Sequence, residues 1–391
     1  MNNFNYYSPT RYVFGKDTET EVGKLAQEAD AKKVLLHFGG GSAEKSGLLS
    51  RVRDSLKKAG VEFAELGGVC PNPRDGLIYE GIELCRKENV DLVLCVGGGS
   101  VIDSGKAIAA GVPYDGDFWD FYSGKAQPES ALPIGVVLTI PAAGSEGSPG
   151  TVVTKMDGLL KWAFGSELIR PKFSILNPEL TYTLPAYQTA CGAADIMAHV
   201  FERYISQTSG VDFTDRLCES VLSTIVKNIL IALKEPDNYE ARANIMWAST
   251  IAHNDMVGLG RESDWSSHAI EHELSALYDV AHGAGLAVIV PAFFRYQYRH
   301  GITRFAQLAV RVFGVDMDFQ HPERTALEGI ERLEAFFKSI GLPTTFKELG
   351  AKEEDIPVMT QKCLLNNGDK IGYFHPLARE EIAEIYKLAC K

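Results

Sequence analysis

The chain has 391 residues, 45 % hydrophobic and 23 % charged, enough to bury a sizeable core; single cores stop growing near roughly 250–300 residues, so two domains are expected. A net charge of −12 excludes nucleic acid and anionic membrane surfaces as main partners, because neither polyanion is drawn to an acidic surface. With no basic-then-apolar leader and no apolar run approaching about eighteen residues, a cytoplasmic protein is expected.

The seven cysteines are odd in number, scattered and never in a C-x-x-C pair, which suits free buried thiols better than disulfides or a thiolate zinc site. In chain order, "KKVLLHFGGGS" reads as a strand stopping at glycines, "KSGLLSRVRDSLKKAG" as an amphipathic helix and "VEFAEL" as a strand. "PRDGLIYEGIELCRKENV" follows as a helix, "DLVLCVGGGS" as a strand and "PIGVVLTIPAAGS" as another. Strand and helix in alternation imply right-handed crossovers and a parallel sheet, an α/β nucleotide-binding type of domain over residues 1–185. From Ala186 the apolar period lengthens to about 3.6 and no strand pattern returns, so residues 186–391 are expected to be all-α, with Pro178 and Pro185 bracketing the junction.

Two glycine-rich loops end strands. Gly97, Gly98 and Gly99 precede Ser100 at a helix start, where close backbone approach and unpaired amides suit a pyrophosphate, although a tight turn would look the same. Spacing excludes a Walker A loop, since Ser100 stands where its first glycine belongs relative to Lys106, and Ile102 breaks the G-x-G-x-x-G fingerprint. The second loop, Gly39, Gly40, Gly41 and Ser42, carries no carboxylate where NAD-binding sheets usually place one, and with Lys45 nearby it leans toward NADP.

Nine histidines serve the whole chain, yet His268, His272 and His282 fall within fifteen positions. His268 and His272 are four apart on a helix, as are Asp195 and His199 in "CGAADIMAHVFERY", so each pair shares a face. Asp195, His199, His268 and His282 together offer one carboxylate and three imidazoles, a set for Fe(II), Zn(II), Mn(II) or Co(II). His272 reads as a supporting group or proton carrier, and His253 as core or surface.

These motifs, with "TIPAAGSEGS" and "ILNPELTYTLP", make the chain resemble over its whole length the iron-containing, or group III, alcohol dehydrogenases, and most of all their butanol dehydrogenase and aldehyde reductase branch. The resemblance implies a Rossmann-like N-terminal domain, a helical C-terminal metal-binding and substrate domain, a cleft between them, and a homodimer. It also implies metal ligands at Asp195, His199, His268 and His282, and cofactor contacts at the two glycine loops, Asn72, Asp103, Thr139, Ser145 and Lys161. Ala143 stands where the family usually has threonine, "SEGSPG" replaces Ser-Glu-Met-Asn, and Asn177 stands where aspartate is frequent; these departures bear on cofactor affinity.

The expected reaction is hydride transfer between NADP(H) and an alcohol/aldehyde pair such as butanol/butanal, with one divalent metal, Fe(II) or Zn(II), as Lewis acid and either His272 or a chain of water and ribose hydroxyl returning the proton. Aromatics in "FWDFYSGK" and "ESDWSSH" are expected to line an apolar substrate pocket. Two rivals are a lyase resembling dehydroquinate synthase and a non-catalytic nucleotide-binding protein with a structural metal. Against the lyase, Glu271 and Glu273 stand where a phosphate substrate would need lysine or arginine.

Overall fold

A computed structural model describes residues 1–365 and 367–391. The chain forms two compact units, one of residues 7–183 and one of residues 184–391 joined by residues 1–6. The first six residues, expected with the N-terminal half, group with the second unit because the Met1 ammonium donates to the Ser209 carbonyl (2.8 Å) and the Asn2 amide to that of Gly260 (2.8 Å).

The first unit is a six-stranded sheet, all parallel, in the order β1 (Arg11–Phe14), β8 (Phe173–Leu176), β5 (Ile134–Leu138), β4 (Leu92–Gly97), β2 (Lys33–Gly39) and β3 (Glu62–Val69). Helices α1 (Val22–Glu28), α2 (Ser42–Lys45), α3 (Leu48–Lys58), α4 (Asp75–Glu88), α5 (Gly99–Gly111) and α6 (Trp119–Tyr122) make up the rest, with an antiparallel hairpin of β6 (Gly150–Lys155) and β7 (Leu160–Gly165). Strands β4 and β5 are buried along their entire length, which is why they read as unbroken apolar runs instead of alternating ones.

Beside the edge strand of this sheet His37, on β2, donates from Nδ1 to the Leu66 carbonyl of β3 (2.9 Å) and accepts at Nε2 from the Ser104 hydroxyl of α5 (2.9 Å). Burial lowers this imidazole from 6.5 to about 4, so it folds neutral. Between those two values the unfolded chain binds the extra proton, so the stabilisation is complete above about pH 6.5 and is lost as pH falls toward 4. Urea unfolding of the metal-free protein is expected to show about 2 kcal/mol more loss between pH 7.5 and 5 than a His37→Gln variant shows. Equal losses in the two proteins would remove His37 from the acid response.

The second unit is helical: α7 (Ala186–Tyr204), α8 (Asp212–Lys234), α9 (Tyr239–His253), α10 (Ser266–Tyr278), α11 (His282–Gln297), α12 (Ile302–Phe313), α13 (Pro322–Ser339), α14 (Phe346–Leu349), α15 (Ile356–Leu365) and α16 (Arg379–Ala389). Helix α7 is buried without a break from Thr189 to Tyr204, which makes it the central element and takes the acidic and basic side chains of Asp195, His199, Glu202 and Arg203 inside. Pro185 ends the extended approach and leaves the helix to start at Ala186.

All seven cysteines are free thiols; five are buried as expected, whereas Cys70 is exposed and Cys390 half-buried. The aromatics of "FWDFYSGK" do not line an open pocket. Phe118, Trp119, Phe121 and Tyr122 are buried, and Trp119 stacks on Tyr122 (5.1 Å between ring centroids) and on Trp162 of the hairpin (5.6 Å), because a four-residue helix has no other way to bury its apolar side.

Candidate functional site

In the N-terminal unit β4 ends at Gly97, Gly98 is extended, and α5 begins at Gly99. A Cβ on Gly98 would lie 2.9 Å from that of Ile140, and one on Gly97 2.4 Å from a Val101 methyl, so close packing at this turn demands glycine. The turn presents the amides of Gly99 and Ser100 at the positive dipole end of a 13-residue helix, while those of Val101 and Ile102 donate to the Gly98 carbonyl (3.0 and 3.2 Å). Thr139 borders it, donating its amide to the Gly97 carbonyl (3.0 Å), and Ala143 packs 3.1 Å from where a Gly99 Cβ would be.

The remaining residues expected around a cofactor fall into two linked groups. Ser145 donates to Asp103 Oδ1 (2.6 Å), while Asp103 Oδ2 accepts the Val152 amide (3.0 Å). Lys106, wholly buried on α5, donates to Ser145 Oγ (2.8 Å) and to the carbonyls of Ser148 (2.9 Å) and Gly150 (2.8 Å). Burial pushes this ammonium down to about 8, against the pull of Asp103 and Glu146. The Asp103–Ser145–Lys106 chain thus ties the 145–152 segment to the helix that begins at the glycine turn. In the second group Lys161 on β7 donates to Asn72 Oδ1 (3.1 Å), and both are buried.

Gly39 ends β2, and Gly40, Gly41 and Ser42 follow it as an exposed loop with Lys45 one turn on. The nearest carboxylate in sequence, Glu44, is taken by Arg53 through two hydrogen bonds (3.0 and 2.9 Å).

The C-terminal unit gathers the histidines. His199 Nε2 lies 3.4 Å, His282 Nε2 3.7 Å and His268 Nε2 3.9 Å from one atom, Asp195 Oδ1. Asp195, His268 and His282 each offer a donor atom within 4.8 Å of the other two; His199 meets Asp195 but falls outside that mutual set, its ring 4.6 Å from that of His268. Sequence spacing supplies the cause: Asp195 and His199 are one turn apart on α7, His268 sits in the first turn of α10, and His282 is the first residue of α11.

Two carboxylates fix the rings: Glu202, which the sequence reading passed over, and Glu271, which it weighed only against a phosphate substrate. Glu202 Oε1 accepts from His268 Nδ1 (2.8 Å), from the His268 amide (3.0 Å) and from Ser267 Oγ (2.5 Å). Burial opposes the charge on Glu202, yet these bonds hold it below the usual carboxylate range. Glu271 accepts from His282 Nδ1 and from the Ser275 hydroxyl. With Nδ1 donating, the lone pair of each ring is on Nε2, the atom turned to Asp195. For His199, burial first and the neighbouring His253 and His268 next keep the imidazole well below its ordinary value, hence neutral.

This donor set fits a divalent metal. His268 Nε2 is buried and, among the described residues, has no hydrogen-bond partner, a state that costs free energy unless something accepts its lone pair. A carboxylate oxygen facing three imidazole nitrogens, two of the rings backed by further carboxylates, is what a metal with borderline preference takes. His272 stands beside the set, its ring 5.5 Å from His282 and 6.4 Å from His268. Trp265 of "ESDWSSH" packs on the cluster itself, 5.8 Å from His199 and 5.3 Å from His268.

The family profile described as iron-containing alcohol dehydrogenase matches residues 9–178, and that of the C-terminal part of the same family matches residues 189–390. The chain belongs to the iron-containing alcohol dehydrogenase family. It is therefore an oxidoreductase of the alcohol dehydrogenase type, with the mixed α/β and helical fold of that family. Among its relatives is a probable NADH-dependent butanol dehydrogenase of Bacillus subtilis, 43 % identical over 99 % of both chains. An NADPH-dependent aldehyde reductase of Escherichia coli is 36 % identical over 100 % of both. Among solved structures, an NADH-dependent butanol dehydrogenase A of Thermotoga maritima superposes with a TM-score of 0.97 at 42 % identity, covering 100 % of this chain and 99 % of that one. No helix among the described residues is long and apolar enough to cross a membrane.

Proposed function

We propose that this family member is a metal-dependent aldehyde reductase and alcohol dehydrogenase for small primary alcohol/aldehyde pairs such as butanol/butanal, with NADP(H) as its cofactor. The observation that carries the metal is the convergence of His199, His268 and His282 on Asp195 Oδ1, with Glu202 and Glu271 behind two of the rings. Bound there, Fe(II) or Zn(II) supplies Lewis-acid stabilisation of developing alkoxide charge, while a nicotinamide supplies the hydride.

The chain's own residues prepare that chemistry. Glu202 and Glu271 select the tautomer of His268 and His282 that leaves Nε2 open as a ligand. The turn at Gly97–Ser100 offers amides to a pyrophosphate, and Lys106 holds the neighbouring segment against it. Lys161 and Asn72 form a further polar pair on the nucleotide-binding unit, with Thr139 at the turn. His272, close to the ligands but on none of the lines to Asp195, returns the proton; unchanged turnover in His272→Asn would remove that role.

The NADP(H) reading rests on the Gly39–Ser42 loop. It is exposed, its one neighbouring acid is engaged by Arg53, and Lys45 Nζ comes within 4.0 Å of the Gly41 Cβ direction. The names of the relatives divide between NADH and NADPH, so the loop itself has to be tested. Initial rates with butanal at 340 nm are expected to give a higher kcat/KM with NADPH than with NADH. A Cβ on Gly40 meets nothing within 4 Å, so Gly40→Asp adds a carboxylate without a clash and is expected to shift the ratio toward NADH by about tenfold or more. A wild-type preference for NADH, unmoved by Gly40→Asp, would contradict the loop's role.

The lyase reading gains nothing from the structure. Glu271, where a phosphate substrate would need a cation, is committed to His282 and Ser275, and Glu273 faces Lys362 (3.7 Å).

A further inference from the structure

Of the imidazoles turned to Asp195, His268 and His282 are each held by a carboxylate, but His199 is not. Its Nδ1 is buried and, among the described residues, has no hydrogen-bond partner. Instead the His253 ring lies beside it, centroids 4.2 Å apart and planes tilted by 36°, and Trp265 meets it edge-on. His253 closes α9, and reaches His199 only because α9 packs on α7.

Arg203, one turn after His199, links these groups. The residue is 3 % exposed; Nη1 donates to the His199 carbonyl (2.7 Å), Nη2 to His253 Nδ1 (2.8 Å), and the guanidinium carbon lies 4.7 Å from the centre of the Trp265 ring. A guanidinium has no lone pair, so His253 Nδ1 must be the acceptor and its proton must sit on Nε2. Turning the His253 ring would leave a buried guanidinium N–H unpaired, so the ring is fixed in place.

We propose that His253 is a positioning residue for His199: held by Arg203, it fixes the His199 imidazole with Nε2 toward Asp195 and thereby sets the metal affinity of the centre. This rests on the metal reading above. It assigns to packing and one hydrogen bond the part that Glu202 and Glu271 play for the other two rings, and such outer partners are commonly worth 10–100-fold in metal affinity.

The test uses full-length protein loaded with Co(II), reading affinity by chelator competition and ligand geometry by the visible d–d bands. His253→Phe keeps a ring but gives Arg203 no acceptor; Kd is expected to rise about 10–100-fold with altered d–d bands. His253→Asn, whose Oδ1 replaces Nδ1 as acceptor, is expected to recover most of the loss. His253→Leu serves in place of a His253→Phe that does not fold. Wild-type affinity and bands in the folded Phe or Leu variant would overturn the proposal, as would a His253→Asn as impaired as His253→Phe. A wild-type protein that binds no Co(II) would overturn the metal reading and this inference together.

Discussion

Asp195→Asn is expected to strip the centre of metal and to cut kcat/KM for aldehyde reduction by about 1000-fold or more, with the fold retained. The exchange keeps the shape of the side chain and removes only the charge that three imidazole nitrogens face at 3.4 to 3.9 Å. Loss of Lewis-acid stabilisation worth several kcal/mol corresponds to a rate loss of that order. In metal-free protein the same exchange removes a carboxylate that is only 5 % exposed, so its thermal midpoint should equal or exceed that of metal-free wild type. Elemental analysis and thermal unfolding check both halves, and a variant that keeps one equivalent of metal would refute the assignment.

The second large effect is expected at two glycines of "HGAG". A Cβ on Gly283 would lie 2.0 Å from the Cys191 carbonyl oxygen and 2.6 Å from its carbon, both backbone atoms of α7 that no rotamer change can clear. Gly283→Ala must push the start of α11 off α7, costing on the order of 2 kcal/mol or more, and it displaces the adjacent His282. A Cβ on Gly285 would instead meet Glu271 Oε1 at 2.2 Å and Cγ at 2.8 Å. Gly285→Ala therefore turns away the carboxylate that anchors His282, and metal affinity should fall more than stability. Thermal unfolding without metal, set beside metal titration, separates the two; a Gly283→Ala protein with wild-type midpoint and affinity would contradict this packing.

Much of this architecture was legible because the apolar pattern is strong. β2, β3, β4 and β5 and the helices between them follow the runs that the sequence shows, and α7 starts at Ala186 where the period changes. The misses are short or irregular. β1 and β8 have four residues each, too few for a period, yet β8 sits between β1 and β5 and completes the sheet. The β6–β7 hairpin did carry a signal, Asp157-Gly158 between two strand-like runs, with Gly158 at φ 84° as such a turn demands.

At the centre, Asp195 with His199 and His268 with His272 stood out by their one-turn spacing, which the helix geometry turns into convergence for the first pair. Glu202 and Glu271 did not, since an acid seven residues after Asp195 or three after His268 is ordinary on a helix until its partner is known. His253, read as core or surface, is brought to His199 by helix packing across more than fifty residues of sequence, which no local pattern encodes. Asp103 and Ser145, expected at the cofactor, hydrogen-bond each other, so part of their work is to shape the loop.

The central claim is that this protein reduces aldehydes at a metal centre built on Asp195. The most direct measurement follows 340 nm absorbance with NADPH and butanal on one preparation in two states, chelator-stripped and reloaded anaerobically with Fe(II) or Zn(II). Negligible oxidation of NADPH in the stripped protein and its recovery on reloading are the expected result. Equal rates in the two states, or no butanal-dependent oxidation of NADPH or NADH with either metal, would contradict the account.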